Sequence, residues 1–331
     1  PECFAFGQPH SSDKSMSILN RENDGLHPIV LTLAGIVARE KVISRDELIS
    51  ICVPHASSEM EAEKDSDKGK VKGLASRARA TLARWVSLGL FIENDDQVRL
   101  SVDLVRGEST DVFTDRLPTI CRRLALQQMH ALPLWPSDGS ISEEAVGRTA
   151  DLCRSLAWCL AQDIYALPSA YDEIESLITA QVQPGRFIFL NSTRWQGFRP
   201  WARFLGFATG DDSSFFCDPT VAVRTELKEV IQRDELLPAT EFVLRLASRL
   251  PVLDFGDYRL EVEKVLKPGA WAAPVASHLS TALSFALRRL QLQGVISLVA
   301  LADAGSKLTL VGQGGRAWES FTHVRLLRDA L

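Results

Sequence analysis

Residues 71–101 read VKGLASRARATLARWVSLGLFIENDDQVRLS, and this stretch decides the fold. Val71, Leu74, Ala75, Ala78, Leu82, Trp85 and Val86 recur at helical spacing and predict one apolar face, with Gly89 as the stop. Two short runs follow, FIEN and QVRLS, which meet at Asp95-Asp96 and read as a hairpin. Gly73, Ser76, Ala80, Ala83 and Ser87 fall on the side opposite the apolar face. Lys70, Arg77 and Arg84 run down one flank of that side, and Lys72 and Arg79 down the other. A ridge of small residues between basic flanks suits a major groove, with arginines reaching phosphates or guanine edges.

Working back from this helix, Pro28 opens a helix carrying Ile29, Leu33, Ile36 and Val37. Ser44 and Glu47 form a capping-box pattern ahead of Leu48, Ile49 and Ile51. Residues 56–70 are charged, without an apolar stripe, and read as a flexible insertion. Three helices and a terminal hairpin predict a winged helix, a variant of the helix-turn-helix, over residues 16–106. Residues 1–15 show no periodicity and are expected to be a disordered leader or tag ahead of Met16.

The C-terminal end gives a similar ending. Helices about 239–249 and 257–266 precede a long helix, about 277–293, stopped by Gly294. VISLVALADAGSKLTLVG then reads as a hairpin turning at 303–306, making residues 237–331 a second winged helix. Leu279, Leu283, Ala286, Leu287 and Leu290 form the helix's core stripe, leaving Thr281, Phe285, Arg288 and Leu292 opposite. Large apolar groups on a face meant for water point to a partner, so Phe285, Arg288 and Leu292 are the candidate partner-binding residues. Phosphate contact by Arg288, Arg289 and Lys307 is the other reading of that surface.

Residues 107–236 are expected to be a helical middle domain. The apolar run 187–190, an aromatic helix over 198–208, the short strand FFCD and a helix from Pro219 suggest a degenerate third winged helix there. Trp195, Phe198, Trp201, Phe204 and Phe207, interleaved with Arg194, Arg199 and Arg203, fit either base stacking or a helical core. Burial is the reading favoured by the spacing of Trp201, Phe204 and Phe207, with the arginines outside. The fold class expected is therefore mainly α with short β-hairpins, tandem winged-helix domains joined by a helical middle region.

Of the 331 residues 46% are hydrophobic and 24% charged, ordinary for a globular core. The net charge of −5 excludes a chain basic over its whole surface. It divides as −2 over residues 1–25, zero over 26–106, −7 over 107–266 and +4 over 267–331, so nucleic-acid contact is expected from the two ends. No apolar run is long enough for a membrane span, and the six cysteines never stand as C-x-x-C, which favours core thiols and a cytoplasmic setting. No zinc spacing, phosphate loop or nucleophile elbow is found, so no catalytic residue, metal or cofactor is assigned. Asp254-Phe-Gly256 matches a kinase triplet without the rest of the kinase set. Asp218 ahead of Pro219 reads as a helix cap.

Three phrases, MSILN (16–20), NSTRWQGFRPWARFLGFA (191–208) and DPTVAVRTEL (218–227), resemble the family of the G component of the bacterial Dpd gene cluster. That system inserts 7-deazaguanine derivatives into DNA and restricts unmodified DNA. The resemblance implies an antiviral defence component with no catalytic residues to carry over. The expectation that follows is a non-catalytic DNA-binding accessory subunit. It would face DNA, expected to be duplex, through Lys70, Lys72, Ser76, Arg77, Arg79, Arg84 and the wing residue Arg99, and would meet other subunits through the C-terminal unit. A homodimer stays open. The alternatives are a scaffold that uses its winged helices for protein contacts, and a transcription regulator.

Overall fold

The computed structural model describes residues 18–19, 27–53, 65–102, 104–105, 108–137, 145–211, 213–302 and 305–328. The first unit runs α1 (His27–Glu40), β1 (Val42–Ser44), α2 (Arg45–Cys52), α3 (Asp65–Ser87), β2 (Phe91–Asn94) and β3 (Gln97–Leu100). Its three strands form one antiparallel sheet in the order β1-β3-β2, with Ile43 opposite Val98 and Phe91 opposite Leu100. Ser44 caps α2 by accepting the Glu47 N–H. Asp95 and Asp96 both have positive φ, at 47° and 65°, the backbone that a two-residue hairpin loop needs to match the twist of its strands. Beyond α3, Gly89 (φ 82°) donates to the Val86 carbonyl and Leu90 to that of Trp85, which closes the helix and aims the chain into β2.

Helix α3 starts at Asp65, so the last residues of the expected insertion are helical. Residues 56–64 and the leader 1–15 lie outside the described residues.

The middle of the chain is α4 (Thr110–Ala125), α5 (Gln128–Ala131), α6 (Ala150–Ala161), α7 (Tyr171–Gln181) and α8 (Ser192–Phe204), then the two-residue strands β4 (Ala208–Thr209) and β5 (Phe216–Cys217). All twelve residues of α6 are buried, which makes it the axis of the fold. Ile18 and Leu19 are fully buried too. The Leu19 N–H donates to the Asp151 carboxylate of α6 at 3.0 Å, and a Cβ on Gly197 of α8 would come within 2.8 Å of the Leu19 carbonyl oxygen. The apolar run at 187–190 forms no strand; Ile188 and Phe189 are core residues beneath Trp195 and Phe198.

The last third runs α9 (Thr220–Val230), β6 (Leu236–Pro238), α10 (Ala239–Arg249), α11 (Asp257–Lys264), α12 (Thr281–Leu292), β7 (Ile296–Val299), β8 (Leu308–Val311), β9 (Ala317–Phe321) and β10 (His323–Leu326). The expected hairpin over 295–312 is not formed. β7 pairs with β10, β10 also pairs with β6, and β8 pairs with β9 across the turn 312–316. The reason lies in the side-chain pattern. Ile296 and Leu298 of β7 are buried while Ser297 and Val299 are half-buried, so this strand has one core face. All four residues of β8 are buried, so it needs cover on both faces and lies against α12. Two strands beyond residue 312 supply the missing pairings. The long helix is also shorter than expected, because Ser280 caps it at Thr281, and its own N–H and Oγ–H both donate to Asp254 at 2.7 Å.

The two end units share one plan. From α1 and from α9 each runs helix, strand, helix, helix, strand, strand, and the sheets have matching orders, β1-β3-β2 and β6-β10-β7. The helix after the first strand opens alike in both: Arg45 N–H donates to Asp96 and Ala239 N–H to Thr322, each at 2.8 Å. α11 and residues 300–322 are additions that the first unit lacks.

Candidate nucleic-acid interface

Helix α3 has its side chains described from Leu74, so those of Lys70 and Lys72 lie outside the described residues. Ala78, Leu82 and Trp85 are buried as the periodicity requires. The Trp85 ring meets Trp201 of α8 at 5.8 Å, and the buried face of α3 also takes in Thr81 and Arg84. Arg84 is 8% exposed, so it belongs to the interior and not to a basic flank. Leu74, read as a core position, is 47% exposed because the buried face ends before that turn.

Ser76, Arg77, Arg79 and Ala83 are exposed and Ala80 is half-buried. Among the described residues, neither Arg77 nor Arg79 has an ion-pair partner, and the same holds for Arg99, exposed on β3. The loop between β2 and β3 carries Asp95 and Asp96, both exposed, so the hairpin tip of this unit is acidic.

The arginines of the middle region are used differently. Arg122 and Arg123 of α4 and Arg249 of α10 all bond the Glu226 carboxylate of α9, at 3.2, 3.0 and 3.1 Å. Arg122 is buried and also donates to the Leu205 carbonyl at the end of α8. Burial of Glu226 works against its charge, but the arginines outweigh this and hold its carboxyl below the usual range. Arg154 of α6 is likewise buried, donating to the Leu134 and Ile188 carbonyls. These groups hold helices together and leave little positive charge for a ligand.

On α12, Leu283, Ala286, Leu287 and Leu290 are buried as expected, and the face opposite is covered as well. Thr281 donates to the Gln162 carbonyl and accepts the Ile164 N–H. Phe285 packs edge-on against Phe216 and Tyr165, with centroids at 5.3 and 6.2 Å, so it serves contacts within the chain. Arg288 bonds Glu319 of β9 and Gln291, each at 2.8 Å. Arg289 pairs with Asp218, whose carboxylate also accepts the Thr220 N–H at the start of α9. Of the three partner candidates only Leu292 stands clear, 73% exposed.

The aromatic set around α8 is interior: Trp195, Phe198, Trp201 and Phe207 are buried and Phe204 is partly so. Arg194, Arg199 and Arg203 are half-buried on the outer side of the helix. Burial pushes the Cys153 thiol up to about 12, and Cys121 well above its ordinary value, as suits unreactive core groups. Among the described residues no group of three His, Cys, Asp or Glu side chains is placed to hold a metal ion. Among them, too, no helix is long and apolar enough to cross a membrane.

Sequence reasoning missed the Glu226 cluster, although a signal was present: Arg122 follows the core positions Leu117 and Cys121 on α4, and Glu226 stands beside Leu227 on α9, so both charges fall on buried faces.

The chain is therefore a mainly helical protein with a small three-stranded antiparallel sheet at each end. A family model described as DpdG-like matches residues 16–304, and the chain belongs to the DpdG-like family. This membership makes it a component of a Dpd-type system. No curated protein and no solved structure matches the chain.

Proposed function

We propose that the chain is a non-catalytic, DNA-binding accessory subunit of the Dpd modification–restriction system, and that residues 27–100 are a winged helix presenting α3 to duplex DNA. Residues 220–326 are read as a second winged helix, with α9, α10 and α12 as its three helices. The observation that carries the DNA reading is the pairing state of the arginines. Arg77 and Arg79 stand exposed without acidic partners beside Ser76 and Ala83, whereas Arg122, Arg123 and Arg249 are each bonded to Glu226. A helix with small residues between unpaired cations can approach a groove and release counterions from the phosphates. Arg99 lies on the middle strand behind the hairpin tip, placed for a flanking backbone contact.

The scaffold reading has one observation in its favour. The face of α12 that would enter a groove is covered within the chain, so the second unit is built for contacts between proteins or between its own elements.

Fluorescence anisotropy with duplex DNA across a salt series tests the choice. Arg77→Ala with Arg79→Ala is expected to weaken binding by about tenfold or more and to reduce the salt slope by about 2, roughly one unit per lost phosphate contact. Unchanged affinity would remove α3 as the reader. No binding by the wild-type chain at low salt would favour the scaffold.

A further inference from the structure

The second unit has its groove-reading helix covered and, where the first has a two-residue loop, an insertion of residues 300–322 carrying the hairpin β8–β9. The tip of that hairpin is Gly312-Gln-Gly-Gly-Arg316. It is closed by Gly312 N–H donating to the Arg316 carbonyl at 2.8 Å, and Gly314 and Gly315 adopt φ of 66° and 77°. A Cβ at either of these two would meet nothing within 4 Å, so the glycines project into open space. At Gly312 the opposite holds: a Cβ would come within 2.1 Å of the Trp318 indole, which lies against its backbone and braces the tip. Tyr165, edge-on to Trp318 at 6.5 Å, ties the brace to the body.

The tip is thus narrow, with three glycines and two side chains, Gln313 and Arg316, both exposed. Glu319 is the one acidic residue described in 267–331, and Arg288 occupies it. Among the described residues Arg316 is exposed without an ion-pair partner; Lys307 and Arg325, also exposed and unpaired, stand at the other end of the hairpin, before β8 and on β10.

We propose that the 312–316 tip is a second DNA contact, inserting Arg316 into the minor groove of a duplex. This rests on the DNA-binding reading above. The minor groove is about 6 Å wide, which admits one extended arginine side chain while the glycines beside it let the tip come close to the groove edge. An arginine there gains from the enhanced negative potential of narrow A·T tracts. The two units then divide the work, a helix in the major groove from one and a hairpin tip in the minor groove from the other.

The test uses the full chain, an A·T-rich duplex, its G·C-rich counterpart and the minor-groove ligand netropsin. The wild type is expected to prefer the A·T-rich duplex and to be weakened by netropsin. Arg316→Ala is expected to bind about tenfold more weakly and to lose both the preference and the netropsin effect. If Arg316→Ala matches the wild type while the Arg77/Arg79 variant is weakened, the tip is not a contact and the α3 reading stands. A weakened Arg316→Ala with a wild type indifferent to netropsin overturns the minor-groove placement. The reverse pattern, netropsin-sensitive binding lost in Arg316→Ala but kept in the Arg77/Arg79 variant, supports the tip and removes α3. Failure of the wild type to bind any duplex overturns both readings together. Arg316 is exposed, so its removal leaves the fold intact, which circular dichroism checks.

Discussion

The first and last units share one topology and have opposite exposed chemistry. Residues 27–100 leave Ser76, Arg77, Arg79 and Ala83 of α3 exposed, with no ion pair to Arg77 or Arg79 among the described residues, and their hairpin tip is a pair of aspartates. Residues 220–326 cover α12 on every side but the end at Leu292, and carry a glycine-arginine tip on a hairpin the first unit lacks. The framework of helices and strands therefore fixes where a surface stands without fixing what it binds. What differs is the length between the last two strands of the sheet: two residues between β2 and β3, against an insertion that folds back over the helix between β7 and β10.

The largest effect is expected at the junction joining the two units through the middle region. Glu226→Gln leaves Arg122, Arg123 and Arg249 facing one another without their shared charge, and is expected to cost about 3–5 kcal/mol. Chemical denaturation measures this, and a loss below about 1 kcal/mol would show that the arginines relax into water. The pH dependence has a definite sign. The folded pKa of Glu226 is lowered, so its stabilisation is fully present above the unfolded value and disappears as pH falls through the folded one. The variant should accordingly lose most stability near neutrality and converge with the wild type in acid.

A middle-sized effect is expected at the acidic tip. Replacing Asp95-Asp96 by Asn-Gly keeps positive φ at both positions while removing two negative charges from the unit proposed to bind DNA. Duplex affinity should rise about three- to tenfold at low salt and the gain should fade as salt is added. An unchanged affinity would mean that the hairpin tip points away from the duplex, and the contrast between the units would narrow to their helices.

The smallest effect is expected at Leu292. Its side chain is 73% exposed, so Leu292→Asp should change stability by no more than about 0.5 kcal/mol. The same variant sharpens the comparison when purified with other Dpd components. Loss of co-elution would make the end of α12 an interface, and retention would leave the second unit with its hairpin tip alone.

Much of the first unit was legible because its signals are local. The capping serine, the helical stripe through Ala78, Leu82 and Trp85, and the aspartate pair at a two-residue loop each act within a few residues. The misreadings share a non-local cause. Arg84 sits on what an isolated helix would expose, yet it is buried in the folded chain, where its neighbour Trp85 meets Trp201 from more than a hundred residues away. Phe285 is covered by Phe216 and Tyr165 for the same kind of reason. The hairpin expected at 295–312 joined two neighbouring apolar runs, yet β7 finds its partner in β10, beyond a second hairpin. Nothing in the run 296–299 records a partner that lies some two dozen residues on.

Between β9 and β10 stands a single residue, Thr322, although the two strands belong to different sheets. Its N–H and Oγ both reach the Val299 carbonyl, and its own carbonyl accepts the Ala239 N–H. The hairpin therefore has no slack with which to swing free of α12. A pull on its tip must either tear Thr322 from β7 or drag β10 along with it. In mechanical terms Thr322 is one of several pins: Thr309 exchanges backbone hydrogen bonds with Ser277 and Leu279, and Val311 N–H donates to Ser284 Oγ on α12.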